Sequence, residues 1–518
     1  MFLLAAAGAF ALALSAAARE VPIVLLHTAD LHGHLTTSVP APGETNSAAG
    51  LLRIATLVRE VRRTAENVLL FDCGDTYQGA PESYVSKGRV MVDAMALLRY
   101  DAGLVGNHEF DWGVPRLAAL VGACPHPVLA ANVVAREGVT NPLARVQPFL
   151  VRDLDGVRIA IAGLTSPGMA KWFLPQWLGA LEFPRSAPTL ERILPAIRSA
   201  KPDVLVLLVH QGLPHGPADP VNEAADIARR FPEFDVILGG HTHEEVAGQL
   251  LEGTLYSQAG PHGGSLGRVD LVYDTVARRV TSKRGTLLPV TADVPEDAEL
   301  ARAAAPVLKK AAALLETSVG RTAAALSPPE AERLLREAIA AASGAQLVLH
   351  GALADVGLPA GVVRERDLWR VVPYENRIGT AWLNFPELRE ILEEDAAWHG
   401  TPHFLNARGL AFDLAAGAPA GQRIRRLRLA DGTVPHPRKR FQVAFNSFTL
   451  ASGGGRFPRL RAIVLQPESR FELTETDTRD ALRQYLRAHR PLELPAAGDE
   501  GARIVTVKNP GGATARGK

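Results

Sequence analysis

Short runs rich in Val, Ile and Leu punctuate the first half of the chain at Val21 to Leu26, Val68 to Phe71, Val204 to Val209 and Val236 to Leu238. Runs this short, apolar at consecutive positions and closed by Gly, Asp, His or Asn, predict buried strands. Gly103-Leu104-Val105 is a shorter stretch of the same kind. Strand-like and helical segments alternate as far as Leu266 to Asp274, which reads as a closing strand. Pro295-Glu296-Asp297-Ala298 then opens an Ala-, Leu- and Lys-rich run with helical spacing that reaches Leu315. The pattern predicts an α/β domain followed by a helix, with a division of the chain at about residues 285 to 325. In an α/β domain whose sheet faces are covered, the loops after the strands gather at one edge, where side chains can converge.

Composition changes this picture little. A chain of 518 residues with 47% hydrophobic content has the material for two or three cores and is not a disordered chain. The formal net charge of +1 gives no overall field to recruit a nucleic acid polymer or an acidic membrane. The basic clusters Arg423 to Arg428 and Arg438-Lys439-Arg440 read as solvated faces. Cys73 and Cys124 cannot make a disulfide framework, and Cys73 reads as a small buried apolar side chain at a strand end.

Met1 to Ala18 is almost wholly apolar and ends in Ser15-Ala16-Ala17-Ala18, so it reads as a signal peptide cleaved after Ala18, which predicts a periplasmic or secreted protein. The front lacks the usual Lys or Arg, which leaves an uncleaved anchor as the competing reading, although the run is short for a bilayer span. No stable membrane partner is expected unless that segment stays uncleaved. Beyond about residue 495 the tail, with Asn509-Pro510-Gly511-Gly512, has little core-forming content and is expected to be mobile.

Candidate chemistry sits where the strands end. Asp30-Leu31-His32, Gly74-Asp75, Gly106-Asn107-His108-Glu109, His210 and Gly240-His241-Thr242-His243 each follow one of the apolar runs. Imidazole, carboxylate and amide donors without a thiolate suit Mn, Zn, Fe, Co or Mg rather than a soft site. A carboxylate such as Asp75 can bridge two ions. The set therefore assigns Asp30, His32 and His243 to one divalent metal, Asn107, His210 and His241 to another, and Asp75 to both. Two such ions leave surplus positive charge that attracts a phosphate and acidifies a water between them. His27, His34, His126, His215 and His262 lie near these motifs, but their spacing does not demand a metal, and packing is the expected role. Asp72 reads either as a support for a ligand or as a turn residue.

The run Leu26 to His34, Gly74 to Gly79 and Gly106 to Asp111, with His210 and Gly240-His241-x-His243, resembles the calcineurin-like metallophosphoesterases of the 5′-nucleotidase family. That resemblance spans roughly residues 21 to 490. It implies an N-terminal four-layer αββα metallophosphoesterase sandwich and a C-terminal α+β substrate-specificity domain. The boundaries expected from it are 19–290 for the metal domain, 291–325 for the linker helix and 326–495 for the specificity domain. It also implies that His108 faces the substrate and stabilises the transferring phosphoryl group or protonates the leaving oxygen, oriented by Asp111. The alternative for Asp111 is a helix cap ahead of Val114-Pro115.

In the C-terminal part, Leu358 to Asn376 and Asn446 to Phe457 resemble the family's specificity domain, and Tyr374 and Phe457 fall where two aromatics clamp a nucleobase. The alternative is that both are core aromatics. Three polar positions of the family pattern are replaced: His350 and Asp355 stand where the family has Asn and Arg, and Gly455 stands where it has Asp. An acid in place of a cation near a phosphate repels it, and Arg377 or Arg456 could compensate from another direction.

The resulting expectation is a 5′-nucleotidase-like phosphoester hydrolase that attacks with a hydroxide activated by two metals. Its partner would be a small anionic substrate, a nucleotide by resemblance. The competing readings are a hydrolase of a sugar phosphate, nucleotide diphosphate, cyclic nucleotide or sulfur oxyanion ester, and a periplasmic nucleotide- or anion-binding protein without turnover.

Overall fold

The computed structural model describes residues 19–37, 39, 48–216, 219, 221–489, 491–494 and 500–505. The expected signal peptide at Met1 to Ala18 and the Asn509 to Gly512 stretch of the tail lie outside them. Among the described residues no helix is long and apolar enough to cross a membrane.

Two sheets face each other in the N-terminal half. One is four-stranded and centred on Glu20–Thr28, which runs parallel to Val68–Asp72 and antiparallel to Ser265–Asp274. The other is six-stranded, with Val157–Leu164, Val204–Val209, Val236–Gly239 and Thr254–Ala259 parallel to one another. Burial follows from those positions. The central strand Val204–Val209 is a continuous apolar run because both its faces are covered, whereas Ser265–Asp274 alternates buried and half-buried residues as an antiparallel strand with one wetter face does.

Ile23, Leu25, Leu69, Phe71, Val206, Leu208, Val236 and Leu238 fill the space between the sheets. Helices Leu51–Thr64, Arg89–Leu97 and Val114–Ala123 cover the outer face of the first sheet, and Ser186–Ser199 with Ala224–Arg230 that of the second. This is the αββα sandwich that the resemblance implied.

The apolar runs and the strands agree closely, and Val204 to Val209 matches residue for residue. Gly103-Leu104-Val105 is the exception. Its strand is only Gly103–Leu104, joined to the first sheet by a single bridge between Phe71 and Ala102. The helix Ala298–Glu316 starts where the sequence placed it, because the Asp297 side chain accepts the Leu300 N–H at 2.8 Å.

Beyond that helix a five-stranded sheet is built from Leu347–His350, Arg377–Asn384, Asn406–Arg408, Arg440–Asn446 and Glu472–Asp477. Pro328–Ser343 and Thr478–Ala488 pack into one core there, and Phe385–Asp395 and Pro458–Val464 into another. The mobile tail expected from residue 496 is corrected in part: Gly501–Ile504 forms a strand parallel to Leu410–Leu414. Its backbone N–H and C=O groups find partners in the sheet, so it needs little apolar side-chain content to be held.

Leu208 is fully buried between the two sheets. Leu208→Ala is expected to destabilise the protein by ~2–5 kcal/mol through lost burial and a residual cavity, read as a lower denaturation midpoint.

Candidate metal and catalytic site

All parallel strands of the sandwich deliver their C-terminal ends to one edge. Thr28, Asp72, Val209 and Gly239 close those strands, and the next residues carry the polar groups. Backbone geometry there is unusual. Asp30, His32, Asp75, His241 and His243 all have left-handed φ angles, between 45° and 77°. Such conformations cost a non-glycine residue of order 1–3 kcal/mol each and persist only where the surroundings impose them.

Several bonds impose them. The Glu109 carboxylate is buried and accepts the backbone N–H groups of Gly106 at 2.6 Å, Asp75 at 2.9 Å and Thr76 at 2.7 Å. Asp30 accepts the His241 N–H at 2.9 Å, and Asp75 accepts the His108 N–H at 2.8 Å. Asp72 takes Thr28 Oγ1, Thr76 Oγ1 and the Gly74 N–H, so it both ties the first two loops together and bonds its own turn. Glycine is required at Gly74 and Gly106: a Cβ on Gly74 would lie 2.8 Å from His210 Nδ1, and one on Gly106 would lie 2.3 Å from an Asp75 oxygen.

The side chains fall into two groups. One ligand atom each from Asp30, His32 and His243 lie within 4.8 Å of one another, and so do those from Asp75, His210 and His241. Asn107 Oδ1 is 3.1 Å from His210 Nε2, and Asp75 Oδ2 is 3.0 Å from the same nitrogen and 3.9 Å from His32 Nε2. His32 Nδ1 is held at 3.0 Å by the Gln78 carbonyl and His210 Nδ1 at 2.8 Å by that of Cys73. A carbonyl can only accept, so each Nδ1 carries a proton and each Nε2 is turned toward the other ligand groups.

Burial and the surrounding charges set the protonation. Burial holds the imidazoles of His241 and His243 down at about 3 and about 4 and that of His32 well below the usual range, so all three are neutral. Burial also opposes the charge on Asp75, but His210, His108 and His32 around it hold its carboxyl well below the ordinary value. For His210 burial is outweighed by the Asp75 carboxylate, which lifts it to about 9 in the metal-free protein. A proton between His210 and Asp75 thus occupies the place where the donor set would seat a cation.

His108 stands at the mouth of these groups. Its Nδ1 is 2.7 Å from Asp111 Oδ2, and its ring meets that of His32 at 5.1 Å. Burial opposes the imidazolium, but Asp111 and Asp75 raise it to about 10. The helix Val114–Ala123 is preceded by Gly113 without a side-chain cap bond, so Asp111 is bonded to His108 and does not cap.

One neighbour of these groups packs as expected, and one escaped the motif reading. His262, expected to serve packing, lies within ring contact of His34 at 4.4 Å, His32 at 5.7 Å and His243 at 5.8 Å. Trp172 sets its ring edge against His241 at 4.9 Å. Neither is part of a spaced motif, and only the aromatic or imidazole residue type could have flagged them.

The C-terminal residues divide. Tyr374 is 47% exposed, whereas Phe457 is fully buried in the core with Arg456 over its ring. The expectation that Phe457 offers a free face to a base is corrected: Gly453-Gly454-Gly455, all left-handed, fold the loop back so that the ring completes a core. His350 is buried between Asn446 and the Gly351 carbonyl. Arg377 is occupied by Thr474 and Glu475, and Arg456 by the carbonyls of Gly453 and His403.

A sandwich with these donors at its strand ends is that of a metal-dependent phosphoesterase. Residues 23–245 match the family of calcineurin-like phosphoesterases, and residues 313–462 match the C-terminal domain of 5′-nucleotidases. The chain belongs to the calcineurin-like metallophosphoesterases of the 5′-nucleotidase family, which are hydrolases of phosphoric esters that use divalent metals. Protein UshA of Yersinia enterocolitica is 25% identical over 522 residues, which is 91% of this chain and 92% of that protein. In fold the chain is similar to a 5′-nucleotidase precursor from Thermus thermophilus, with 23% identity, a TM-score of 0.71, and coverage of 94% of this chain and 100% of that one. It is also similar in fold to the sulfate thiohydrolase SoxB of Thermus thermophilus in complex with glycerol, with 19% identity, a TM-score of 0.64, and coverage of 94% and 97%.

Glu109→Ala would leave the N–H groups of Gly106, Asp75 and Thr76 without their acceptor. It is expected to cost roughly 1–3 kcal/mol per orphaned group and to lower metal content, measured by elemental analysis of protein reloaded with Mn or Zn.

Proposed function

We propose that the chain is an exported phosphomonoesterase of 5′-nucleotidase type that releases phosphate from a small anionic ester with two divalent cations. The observation that supports this most is the convergence of metal-ligating groups: carboxylate, amide and imidazole side chains face one another at one sheet edge with no Lys or Arg among them. In this reading Asp30, His32 and His243 would hold one cation, Asn107, His210 and His241 the other, and Asp75 would serve both. The nitrogen and oxygen donors fit Mn, Zn, Fe, Co or Mg. Bound there, the cations neutralise phosphate charge and lower the pKa of a water.

The rest falls to the chain's own side chains. His108, an imidazolium held by Asp111, donates its Nε2 proton to a phosphoryl or leaving-group oxygen. Tyr374 offers an exposed ring to a flat leaving group, a contact that stacking makes tolerant of ring type. Residues 19–290 form the reacting domain, 291–325 the link and 326–495 the part that selects substrate. Export is supported by the apolar run Met1 to Ala18 and its small-residue end.

A second reading concerns the substrate. The buried Phe457 and the replacement of three polar family positions by His350, Asp355 and Gly455 favour an ester other than a nucleotide, and the fold shared with a sulfate thiohydrolase makes a sulfur oxyanion ester the one to test. Metal-stripped protein reloaded with Mn, Zn, Co or Mg, assayed on nucleoside monophosphates, sugar phosphates, an aryl phosphate and a thiosulfonate ester, decides between them. Preference for the monophosphates supports the nucleotidase reading. Preference for another ester retains the chemistry and changes the substrate, and no turnover of any ester by metal-loaded protein overturns hydrolysis.

His108→Ala is expected to lower kcat by about 10²–10⁴-fold while metal content stays at the wild-type level. Metal binding should also release protons. His210, lifted to about 9, is protonated at pH 7 in the metal-free protein, and burial raises Asp30 as well. Calorimetry at pH 7 in buffers of different ionisation heat should therefore show net proton release, and apparent affinity should rise with pH up to about pH 9.

A further inference from the structure

Trp112 follows Asp111 directly in the chain, and its indole Nε1 donates a hydrogen bond of 2.7 Å to Oε2 of Glu375, beside Tyr374. The Glu375 side chain is 6% exposed, and the Lys87 ammonium lies 3.9 Å from the same oxygen. Lys87 Nζ also sits over the rings of Tyr84, at 4.1 Å, and Trp112, at 5.2 Å. One carboxylate thus gathers groups from the loops of the αββα sandwich onto the segment that carries the exposed aromatic of the C-terminal half.

Behind Glu375 is the guanidinium of Arg479, fully buried and 3.5 Å above the Trp369 ring, with its Nε bonded to the Val372 carbonyl at 2.8 Å. Four buried polar atoms of this cluster make no hydrogen bond: Glu375 Oε1, Trp369 Nε1, Thr478 Oγ1 and Arg479 Nη2. Unpaired buried polar atoms cost stability, and the Glu375 to Lys87 pair, half-exposed at Lys87, contributes little in return. Apolar side chains of equal volume would fill the space better. What the charged cluster supplies instead is direction, since a carboxylate aimed by Arg479 and Lys87 admits one orientation of the Trp112 indole.

We propose that Glu375 is a positioning residue for the reaction: by holding Trp112 it fixes the neighbouring Asp111, and through it the His108 ring, in register with the Tyr374 segment. The role rests on the reading of His108 and Asp111 given above. Glu375 touches neither reacting atom. It acts along the path Glu375 to Trp112 to Asp111 to His108, two of whose links are hydrogen bonds of 2.7 Å and one a peptide bond.

The test uses the full chain loaded with metal and two substrates, an aryl phosphate too small to span both halves and a nucleoside monophosphate. Trp112→Phe and Glu375→Ala are each expected to lower kcat on both substrates by about tenfold, with KM for the aryl phosphate and metal content little changed, because a reacting group shifted by a fraction of an ångström loses its alignment. The double variant should be no slower than the worse single one, since both cut the same path. Glu375→Gln keeps an oxygen acceptor for the indole and should restore most of kcat.

Unchanged kcat in folded Trp112→Phe and Glu375→Ala proteins overturns the proposal, and so does a defect confined to KM for the nucleotide or one that multiplies in the double variant. His108→Ala in the same assay separates the two levels. If it abolishes turnover while the Glu375 and Trp112 variants keep the full wild-type kcat, only the positioning role fails. If it remains fully active, the His108 reading fails and the positioning role with it.

Discussion

Acceptors aimed at one another in a buried place are the constraint around which this protein is arranged. His32 and His210 each donate their Nδ1 proton to a carbonyl, which turns the opposite nitrogens toward Asp75, Asn107 and His243. Water could relieve such crowding on a surface, but Asp30, Asp75 and His210 are essentially without solvent access. Positive charge must therefore enter, as a proton on His210 or as a cation, and the surrounding structure is shaped to keep the place open for it.

Keeping it open is costly, and the fold distributes the cost. Five residues of the two groups sit in left-handed backbone, which Asp and His adopt more readily than most side chains but still at a cost. The strain is offset by a buried carboxylate, Glu109, that gathers three backbone N–H groups from two loops, and by Asp30 and Asp75, which each accept an amide from the loop opposite. Beneath the loops the two facing sheets share one apolar core, so the four strand ends cannot shift independently. Rigidity at this edge is a property of the whole sandwich.

The C-terminal half reaches the site through a few contacts. The Lys171 carbonyl accepts Ser452 Oγ and the Gly454 N–H, and the Phe173 carbonyl accepts Arg461, which ties the Gly453 to Gly455 loop to the segment whose Trp172 leans on His241. On the other side Glu375 meets Trp112 and Lys87. The half that resembles the family least in its polar residues is thus attached to the half that resembles it most by contacts placed beside the candidate reacting groups.

The sequence by itself determined what is local. Apolar runs at consecutive positions specified the strands, because a covered parallel strand tolerates few polar residues, and Asp297 marked a helix start by capping it. The donor types at the strand ends were legible for the same reason, since a strand delivers its last residues to a known edge. Only the tertiary structure decided what depends on a partner far along the chain. It buried Phe457, brought His262 and Trp172 against the histidines of the site, set Glu375 on Trp112 263 residues away, and gave Gly501–Ile504 a neighbouring strand. Periodicity and motif spacing report the environment within a few residues, whereas burial of an aromatic ring or pairing of a carboxylate is set by which surfaces meet after the two halves have folded.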